Sequence, residues 1–215
     1  MPRPITATID LDALRHNLAV VRRHAPRSRV LAVIKADAYG HGLLRAARAL
    51  KDADGFGLVE LEAAVRLREA GYSQRIVLLE GFFEPGDLPV MIEHGLAAVV
   101  HSPEQLGMLE DFGAAGALDV LLKVNTGMNR LGFAPQDAAD AFARLSRLAG
   151  VGPLSLMTHF ASADEARGIA WQVDSFEGAV RGSVRARCIA NSAAILRYPE
   201  THFEWVRPGI MLYGC

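Results

Sequence analysis

The sequence has few cysteines and no long apolar run. Its two cysteines, Cys188 and Cys215, cannot form a disulfide framework, which favours a reducing compartment. No apolar run approaches the ~20 residues that a membrane-spanning helix needs, and the start, MPRPITATID, lacks the basic and apolar regions of a signal peptide. We therefore expect a cytoplasmic protein that does not act at a membrane.

Blocks of like charge are also missing. The formal net charge is −1 over 215 residues, without a basic stretch, which argues against a nucleic-acid partner. Hydrophobic residues make up 51% of the chain and charged residues 22%, a balance that can fill a complete core. The length fits one domain, or one domain and a fragment of another.

Common phosphate-binding and metal-binding motifs do not occur. The sequence has no GxGxxG and no GxxxxGK[ST], so a dinucleotide-binding or P-loop site is not indicated. Seven histidines make a metal-dependent hydrolase conceivable, but no HxH or HExxH spacing is present. These absences leave other enzyme chemistry open.

An eightfold alternation of apolar, β-rich segments with helical patterns runs along the chain. A helix is predicted over residues 12–24, before the first strand, and Ser102-Pro103-Glu104 is typical of a helix start. Eight continuous apolar strands covered by helices predict a TIM-type (β/α)8 barrel, with an open doubly wound sheet as the alternative. The predicted strands are residues 29–35, 55–59, 75–79, 96–100, 118–124, 154–159, 186–190 and 204–209.

Both ends of the chain depart from a self-contained barrel. Residues 5–9, ITATI, are typical of an additional strand, and the chain stops at MLYGC directly after the eighth predicted strand. We expect an exposed sheet edge and an exposed face on the last strand. The expectation is a barrel over residues 1–215, truncated after its eighth strand and continued in a longer natural protein.

Polar residues follow the predicted strands at the ends where such barrels carry their active sites. Each has a simpler explanation: Lys35 as a solvated strand-end lysine, His159 as a rim histidine, Asn191-Ser192 as a helix cap, or Arg207 as a partner of Glu204 or Glu60. Together they place cations and small polar groups on one rim. The rim residues are Lys35, Tyr39, Glu60, Glu80, His101, Lys123, Asn125, Arg130, Thr158, His159, Asn191, Ser192, Arg207 and Gly209.

The loops after strands seven and eight are the usual phosphate site in barrels of this kind. Here they offer the Ser192 hydroxyl and backbone N–H groups near Gly209 and Ile210, which suit a phosphate dianion. A lysine on the same rim, Lys35, suggests a Schiff base with a phosphorylated aldehyde. Pyridoxal 5'-phosphate is therefore the leading cofactor candidate.

Five segments, in order along nearly the whole chain, resemble the bacterial pyridoxal-phosphate-dependent alanine racemases. They are AVIKADAYGHG at 32–42, KVNTGMNRLGF at 123–133, MTHF at 157–160, NSA at 191–193 and VRPGIMLYG at 206–214. The first and last are highly specific in combination. The resemblance implies an isomerase that interconverts L- and D-alanine to supply D-alanine for peptidoglycan. It also implies a homodimer whose subunits have an N-terminal barrel and a C-terminal β-domain, the latter absent from this chain.

The resemblance also implies roles for the cofactor's partners. Lys35 would hold pyridoxal phosphate covalently and then act as the base on one face of the substrate Cα. Tyr39 and Ser192 would bind the cofactor phosphate together with the backbone of Gly209 and Ile210. Asn191 lies beside Ser192 in the NSA motif and is included among the cofactor-binding residues.

Further roles concern the ring and the substrate. Arg207 would face the pyridine nitrogen, and His159 would line the ring and support Arg207. Arg130 would lie near the phenolic oxygen and the substrate carboxylate. Lys123 matches a position that is carbamylated in many family members, where it braces the arginine.

One catalytic group has no counterpart in the sequence. The family's second acid/base is a tyrosine from the partner's C-terminal domain, and Tyr72, Tyr198 and Tyr213 do not match its motif. We therefore expect the chain alone to be a poor or inactive racemase. The alternatives are a pyridoxal-phosphate homeostasis protein without racemase activity, a decarboxylase or D-threonine aldolase relative, and a racemase for serine or a broader substrate range.

Overall fold

The computed structural model describes residues 4–113, 116–182 and 185–214, and its centre is a closed barrel of eight parallel strands. Each strand pairs with the next in chain order, and β8 returns to β1 through the pairs Arg29–Trp205 and Val30–Val206. The predicted (β/α)8 barrel is therefore confirmed. The strands are β1 (Arg29–Val33), β2 (Gly55–Leu58), β3 (Arg75–Leu78), β4 (Ala97–Val100), β5 (Leu118–Lys123), β6 (Val151–Met157), β7 (Arg187–Ala190) and β8 (Trp205–Val206).

Helices surround the barrel in the predicted alternation. Asp10 caps α1 by accepting the N–H groups of Asp12 and Ala13, and Ser102 caps α6 with Pro103 in its first turn, as the sequence predicts. The helices are α1 (Leu11–His24), α2 (Lys35–Tyr39), α3 (Leu43–Ala49), α4 (Leu61–Glu69), α5 (Asp87–Glu93), α6 (Pro103–Phe112), α7 (Ala138–Leu145), α8 (Ala170–Ala179) and α9 (Ser192–Arg197), with the 3-10 helices η1 (Pro199–Thr201) and η2 (Ile210–Tyr213).

The strands are mainly apolar because both of their faces are largely buried. Successive residues of β1 point to opposite sides: Leu31 joins a cluster inside the barrel, whereas Val30 and Ala32 join the larger cluster shared with the helices. Gly55 and Gly57 of β2 leave room for Leu31, since a Cβ on Gly55 would lie 2.9 Å from its Cδ1. The inner cluster comprises Leu31, Val77, Ala97, Val99, Leu121, Met157, Cys188 and Trp205.

The expected exposed edge and the strand at residues 5–9 are both wrong. A closed barrel has no free edge, so residues 4–10 find no strand to pair with and run as irregular chain, with Ile5 87% exposed. Val206 of β8 is fully buried, and α1 packs against both η2 and α9 near this end of the barrel. The last strand therefore does not present the exposed face that the sequence suggested.

Strand ends differ most from the predicted ones in β8, β1 and β6. β8 covers two residues rather than 204–209, because Pro208 has no N–H to donate and the chain turns at Gly209. β1 stops at Val33, two residues before Lys35. β6 begins at Val151 instead of 154, since Val151 pairs with Leu118 across a register shift in β5.

In the part of the chain that the structure describes, no helix has the length and apolar character to cross a bilayer.

Candidate active site

A cavity of about 340 Å³ opens among the carboxyl ends of the strands. It brings together all ten residues to which the sequence analysis gave a role at the site, including the possible carbamylated Lys123, and also the carboxylates of Glu80 and Asp164. Glu60 does not line it. The ten are Lys35, Tyr39, Lys123, Arg130, His159, Asn191, Ser192, Arg207, Gly209 and Ile210.

Lys35 begins α2, a single turn with left-handed backbone. Its next four residues, Ala36 to Tyr39, have φ values of 51°, 50°, 56° and 53°. Left-handed helix costs about 1–2 kcal/mol per residue for an L-amino acid, so the turn needs support from its surroundings. The sequence predicts a tight turn here but not its hand.

Hydrogen bonds of two side chains tie the turn to the residues that follow it. The Asp37 carboxylate accepts the N–H of Leu43 at 2.7 Å, which ties the turn to the start of α3. The His41 ring nitrogen Nδ1 lies 3.0 Å from the carbonyl oxygens of both Ala38 and Tyr39, so it acts as a donor there. The strained turn that follows Lys35 is thereby fixed at the cavity wall.

The end of the cavity near β7 and β8 is rich in hydrogen-bond donors. Ser192 Oγ accepts the N–H groups of Gly209 at 2.9 Å and Met211 at 3.4 Å, which leaves its own proton free to donate. Ile210 opens η2, where the first N–H groups have no partner within the helix. A Cβ on Gly209 would lie 2.8 Å from Tyr39 Oη, so only glycine fits there without displacing Tyr39.

Asn191 is already engaged by the protein. As the N-cap of α9, its side-chain oxygen accepts the N–H of Ala194 at 3.0 Å, and its amide donates to the Phe160 carbonyl oxygen at 3.0 Å. Both polar atoms therefore serve local structure, and Asn191 contributes to the cavity mainly as part of its wall. This geometry matches the helix-cap interpretation of the sequence.

Arg207 is a buried cation that pairs with no carboxylate among the residues the structure describes. Its guanidinium donates to the carbonyl oxygens of Thr158 at 2.8 Å and Ile189 at 3.4 Å, and also to Cys188. The alternative pairing with Glu204 or Glu60 is not formed, and Glu204 instead accepts the backbone N–H of Arg187. Carbonyl dipoles stabilise the charge without neutralising it, so the positive field extends into the cavity.

His159 is held in its neutral form. Arg207 Nη2 lies 3.3 Å from His159 Nδ1, which must accept because guanidinium has no lone pair to offer. Burial, followed by the nearby cations Arg207, Lys123, Arg130 and Lys35, lowers the pKa of His159 to about 3. An imidazole with this pKa is uncharged at neutral pH.

Lys123 is the second buried cation, with 4% of its surface exposed. Burial and then repulsion by Arg207 and Arg130 lower its pKa to about 8, while Glu80 acts in the opposite direction. No ion pair involves Lys123 among the residues described. Its amine is therefore partly neutral, and so nucleophilic, near physiological pH.

A buried polar network supports the loops after β5 and β6, and sequence reasoning missed it. Gln172 accepts the N–H of Ala161 at 2.8 Å and donates to Thr126, whose hydroxyl bonds to that of Thr158 at 2.8 Å. Gln172 and Thr158 are completely buried. In the sequence, Gln172 lies in a helical pattern like a surface glutamine, so no local signal marked it.

The charge of the cavity wall favours an anionic ligand. Four cations, Lys35, Lys123, Arg130 and Arg207, face two carboxylates, Glu80 and Asp164. Within residues 4–113, 116–182 and 185–214, no three His, Cys, Asp or Glu side chains lie close enough to hold a metal ion. The arrangement suits a phosphorylated or carboxylated ligand beside an amine.

Comparison with protein families and curated proteins identifies close relatives. The family model for the N-terminal domain of alanine racemase matches residues 9–215. An alanine racemase from Nitrosospira multiformis is 59% identical over 217 residues, covering 100% of this chain and 61% of that protein. One from Paraburkholderia phytofirmans is 52% identical, covering 100% of this chain and 60% of that protein. The chain thus spans about 60% of the length of these curated relatives.

Solved structures agree with the sequence relatives. The crystal structure of biosynthetic alanine racemase from Pseudomonas aeruginosa is 44% identical with a TM-score of 0.94, covering 99% of this chain and 60% of that one. Alanine racemase from Corynebacterium glutamicum is 31% identical with a TM-score of 0.88, covering 97% of this chain and 62% of that one. By sequence, fold and the grouping of its rim residues, the chain belongs to the alanine racemase family, where it corresponds to the N-terminal domain.

Proposed function

We propose that this chain is the cofactor-binding barrel of a pyridoxal-phosphate-dependent alanine racemase that interconverts L- and D-alanine. The observation that carries the proposal is the placement of Lys35 and the donors Tyr39, Ser192 and Gly209 around one cavity. Membership of an isomerase family supports the reaction class. D-Alanine supply for peptidoglycan and a cytoplasmic location are part of the same proposal.

The residues of the cavity fit pyridoxal phosphate. Donors cluster beside Gly209, where a Cβ would intrude, and four cations favour the phosphate and the substrate carboxylate. Tyr39, Ser192 and the N–H of Ile210 would hold the phosphate, and the Gly209 N–H, which donates to Ser192 Oγ, would be shared with it. The Lys35 amine would hold the aldehyde end. Bound there, the cofactor would delocalise the negative charge that forms at the alanine Cα when its proton leaves.

Lys35 is the residue we assign to proton transfer on one face of Cα. Its amine would take and return the proton at that carbon. The rigid left-handed turn after Lys35 restricts the position of its backbone, so the amine starts from a defined point on the cavity wall.

Arg207 and His159 would set the electrostatics at the cofactor ring. A guanidinium stays charged at any working pH, so a proton added to a ring nitrogen beside it would be repelled. The low pKa of His159 argues that its imidazole acts as a neutral wall and an acceptor for Arg207, not as a proton donor. The resulting weak electron sink should limit side reactions such as transamination.

Arg130 and Lys123 would serve the substrate end. Arg130 is exposed on the loop after β5 and faces the cavity, where its planar donors suit a carboxylate. A carbamate on the partly neutral Lys123 amine would turn a buried repulsion with Arg130 into an attraction. Both roles are carried over from the family motif KVNTGMNRLGF.

The second acid/base and the dimer are proposals for the whole protein. The curated relatives are longer than this chain, and we propose that their C-terminal domain has a counterpart that supplies the opposite face of the site from a partner subunit. On this proposal the 215-residue chain alone binds cofactor but racemises slowly or not at all.

Exchange of the alanine α-hydrogen with deuterated water tests this proposal. With one base in place, the chain and pyridoxal phosphate should exchange the α-proton of one enantiomer faster than they racemise it, as followed by NMR and chiral analysis. The Lys35→Ala variant should fall to the rate of free cofactor. A wild-type chain that binds the cofactor without accelerating exchange would instead be a cofactor carrier, and the racemase assignment would fail.

A further inference from the structure

Tyr213 is an aromatic residue outside the cavity that contacts the strained turn. It ends η2, and its ring centroid lies 4.7 Å from that of Tyr39 and 4.8 Å from that of His41. The rings are tilted by 33° and 36°, a geometry in which aromatic pairs attract one another. Tyr213 thus touches both aromatic residues of the AYGHG segment.

The hydroxyl of Tyr213 is directed at the protein backbone. It donates to the carbonyl oxygen of Val33 at 3.1 Å, at the last position of β1 and two residues before Lys35. Because this hydroxyl is engaged and Tyr213 does not line the cavity, it does not act on a ligand by contact. Its contacts instead link η2, the end of β1 and the turn.

Tyr39 depends on such support. It is 36% exposed, and its backbone lies in a conformation that L-residues rarely adopt. Its hydroxyl nevertheless sits where a Cβ on Gly209 would be 2.8 Å away. A half-exposed side chain on a strained turn needs a contact surface to hold its hydroxyl in one place, and the Tyr213 ring provides that surface.

We propose that Tyr213 is a positioning residue that fixes the Tyr39 hydroxyl at the phosphate end of the cavity. The proposal rests on the proposed function, in which Tyr39 binds the phosphate of pyridoxal phosphate. Tyr213 acts through its ring contacts with Tyr39 and His41. The hydrogen bond from its hydroxyl to the Val33 carbonyl oxygen holds the ring in place against the end of β1.

Burial raises the pKa of both tyrosines, so both hydroxyls remain protonated donors at neutral pH. Tyr39 is then able to donate to an anion, and Tyr213 to the Val33 carbonyl oxygen. The two hydroxyls have different partners, which allows their contributions to be separated by mutation.

The test compares the affinities for pyridoxal phosphate and for pyridoxal, which lacks the phosphate. We expect Tyr39→Phe to weaken binding of pyridoxal phosphate by about tenfold, the effect of one hydrogen bond to a charged group, and Tyr213→Leu by a comparable factor. Both variants should bind pyridoxal like the wild type. In the double variant Tyr39→Phe/Tyr213→Leu, the loss should not exceed that of Tyr39→Phe, because both act through one hydroxyl.

Tyr72→Leu is the matched control, since Tyr72 packs edge-on against Phe56 and does not line the cavity. It should change neither affinity. If Tyr213→Leu fails to fold, Tyr213→Phe takes its place. That variant keeps the ring. It should reduce only the affinity for pyridoxal phosphate, by a smaller factor, and its loss should not add to the loss caused by Tyr39→Phe.

Three results would overturn the inference. The first is that Tyr213 variants bind pyridoxal phosphate with wild-type affinity while Tyr39→Phe binds it more weakly. The second is that they lose as much affinity for pyridoxal as for pyridoxal phosphate. The third is that their loss of affinity adds to that of Tyr39→Phe. If the wild type itself binds no pyridoxal phosphate, the proposed function fails first. If the wild type binds both compounds, the proposed function stands, and the variants then decide this inference alone.

Discussion

Arg207 is the most deeply buried cation of the cavity, and its nearest partners are carbonyl groups rather than carboxylates. Its unneutralised charge acts on the neighbouring titratable groups: it lowers the pKa of His159 and that of Lys123. These two effects lead to separate measurements at the residue scale.

Replacing Arg207 with methionine should raise the pKa of His159. Burial is the larger cause of the low value and persists in the variant, so the pKa should rise from about 3 yet stay below the ordinary 6.5. NMR titration of the imidazole measures this. Arg207→Lys retains a positive charge and should leave the pKa low, and an unchanged pKa in Arg207→Met would show that Arg207 does not act on His159.

Lys123 should make stability rise with pH in the alkaline range. Its folded pKa is about 8 and its ordinary value is 10.5, so between these values the unfolded chain binds more protons and loses them as pH increases. The free energy of unfolding should increase by up to about 1.4 kcal/mol per pH unit. Urea titrations in buffer free of carbon dioxide measure this slope for the wild type and for Lys123→Met. Equal slopes in the two proteins would show that Lys123 has an ordinary pKa.

The left-handed turn α2 and the bend at Gly209 meet at the end of the cavity near β7 and β8, and they are the elements that sequence patterns predict least well. Apolar alternation located eight strands and α1 because it reflects burial on the two faces of each element. The hand of α2 is supported by contacts beyond the turn: Asp37 within it accepts the N–H of Leu43, and His41 and Tyr213 contact it from other segments. β8 is short for a different reason, because Pro208 and Gly209 end it locally.

Gly209→Ala tests the close approach of these two elements. The added Cβ would lie 2.8 Å from Tyr39 Oη, the end of a flexible side chain, so Tyr39 should move while the free energy of unfolding changes little. We expect affinity for pyridoxal phosphate to fall about tenfold, the effect of losing one hydrogen bond to a charged group. Titration of the cofactor by absorbance measures this loss.

Gly107→Ala serves as the control for this prediction. Gly107 lies within α6 and a Cβ there would meet nothing within 4 Å, so alanine should stabilise the helix. A gain of roughly 0.5–1 kcal/mol with unchanged cofactor affinity is expected. Equal affinities for Gly209→Ala and the wild type would mean that Tyr39 Oη does not contact the phosphate.

The whole barrel is closed at its amino end by Trp205. This residue is 5% exposed, belongs to the inner cluster, and pairs with both β1 and β7. The guanidinium groups of Arg29 and Arg75 lie 5.6 Å and 5.0 Å from its ring centroid. Trp205 therefore fills the interior where the first and last strands meet.

Trp205→Ala should lower the free energy of unfolding by about 3–5 kcal/mol, as expected when a buried aromatic side chain is truncated. Phe83→Ala is the matched control. Phe83 is 68% exposed, so its truncation should change stability by less than about 0.5 kcal/mol. Similar urea midpoints for the two variants would contradict the closure by Trp205.

The count of eight alternating units predicted the architecture of the whole molecule, but closure itself left no local signal. Residues 5–9 look like a strand in isolation, and only the pairing of β8 with β1 removes the edge that they would need. The ten site residues were predictable because a barrel sends every strand end to one rim. The network around Gln172 was not, since its partners come from two separate loops, one after β5 and one after β6.

The central claim is that the Lys35 amine reacts with pyridoxal phosphate in this cavity. The chain has three lysines, at positions 35, 51 and 123. Borohydride reduction of the complex with pyridoxal phosphate, followed by peptide mapping, can therefore assign the modified amine. We predict stoichiometric label on Lys35, retained in Lys51→Arg and lost in Lys35→Ala. Label on Lys51 or Lys123 with Lys35 unmodified would contradict the assignment of this cavity as a pyridoxal-phosphate site.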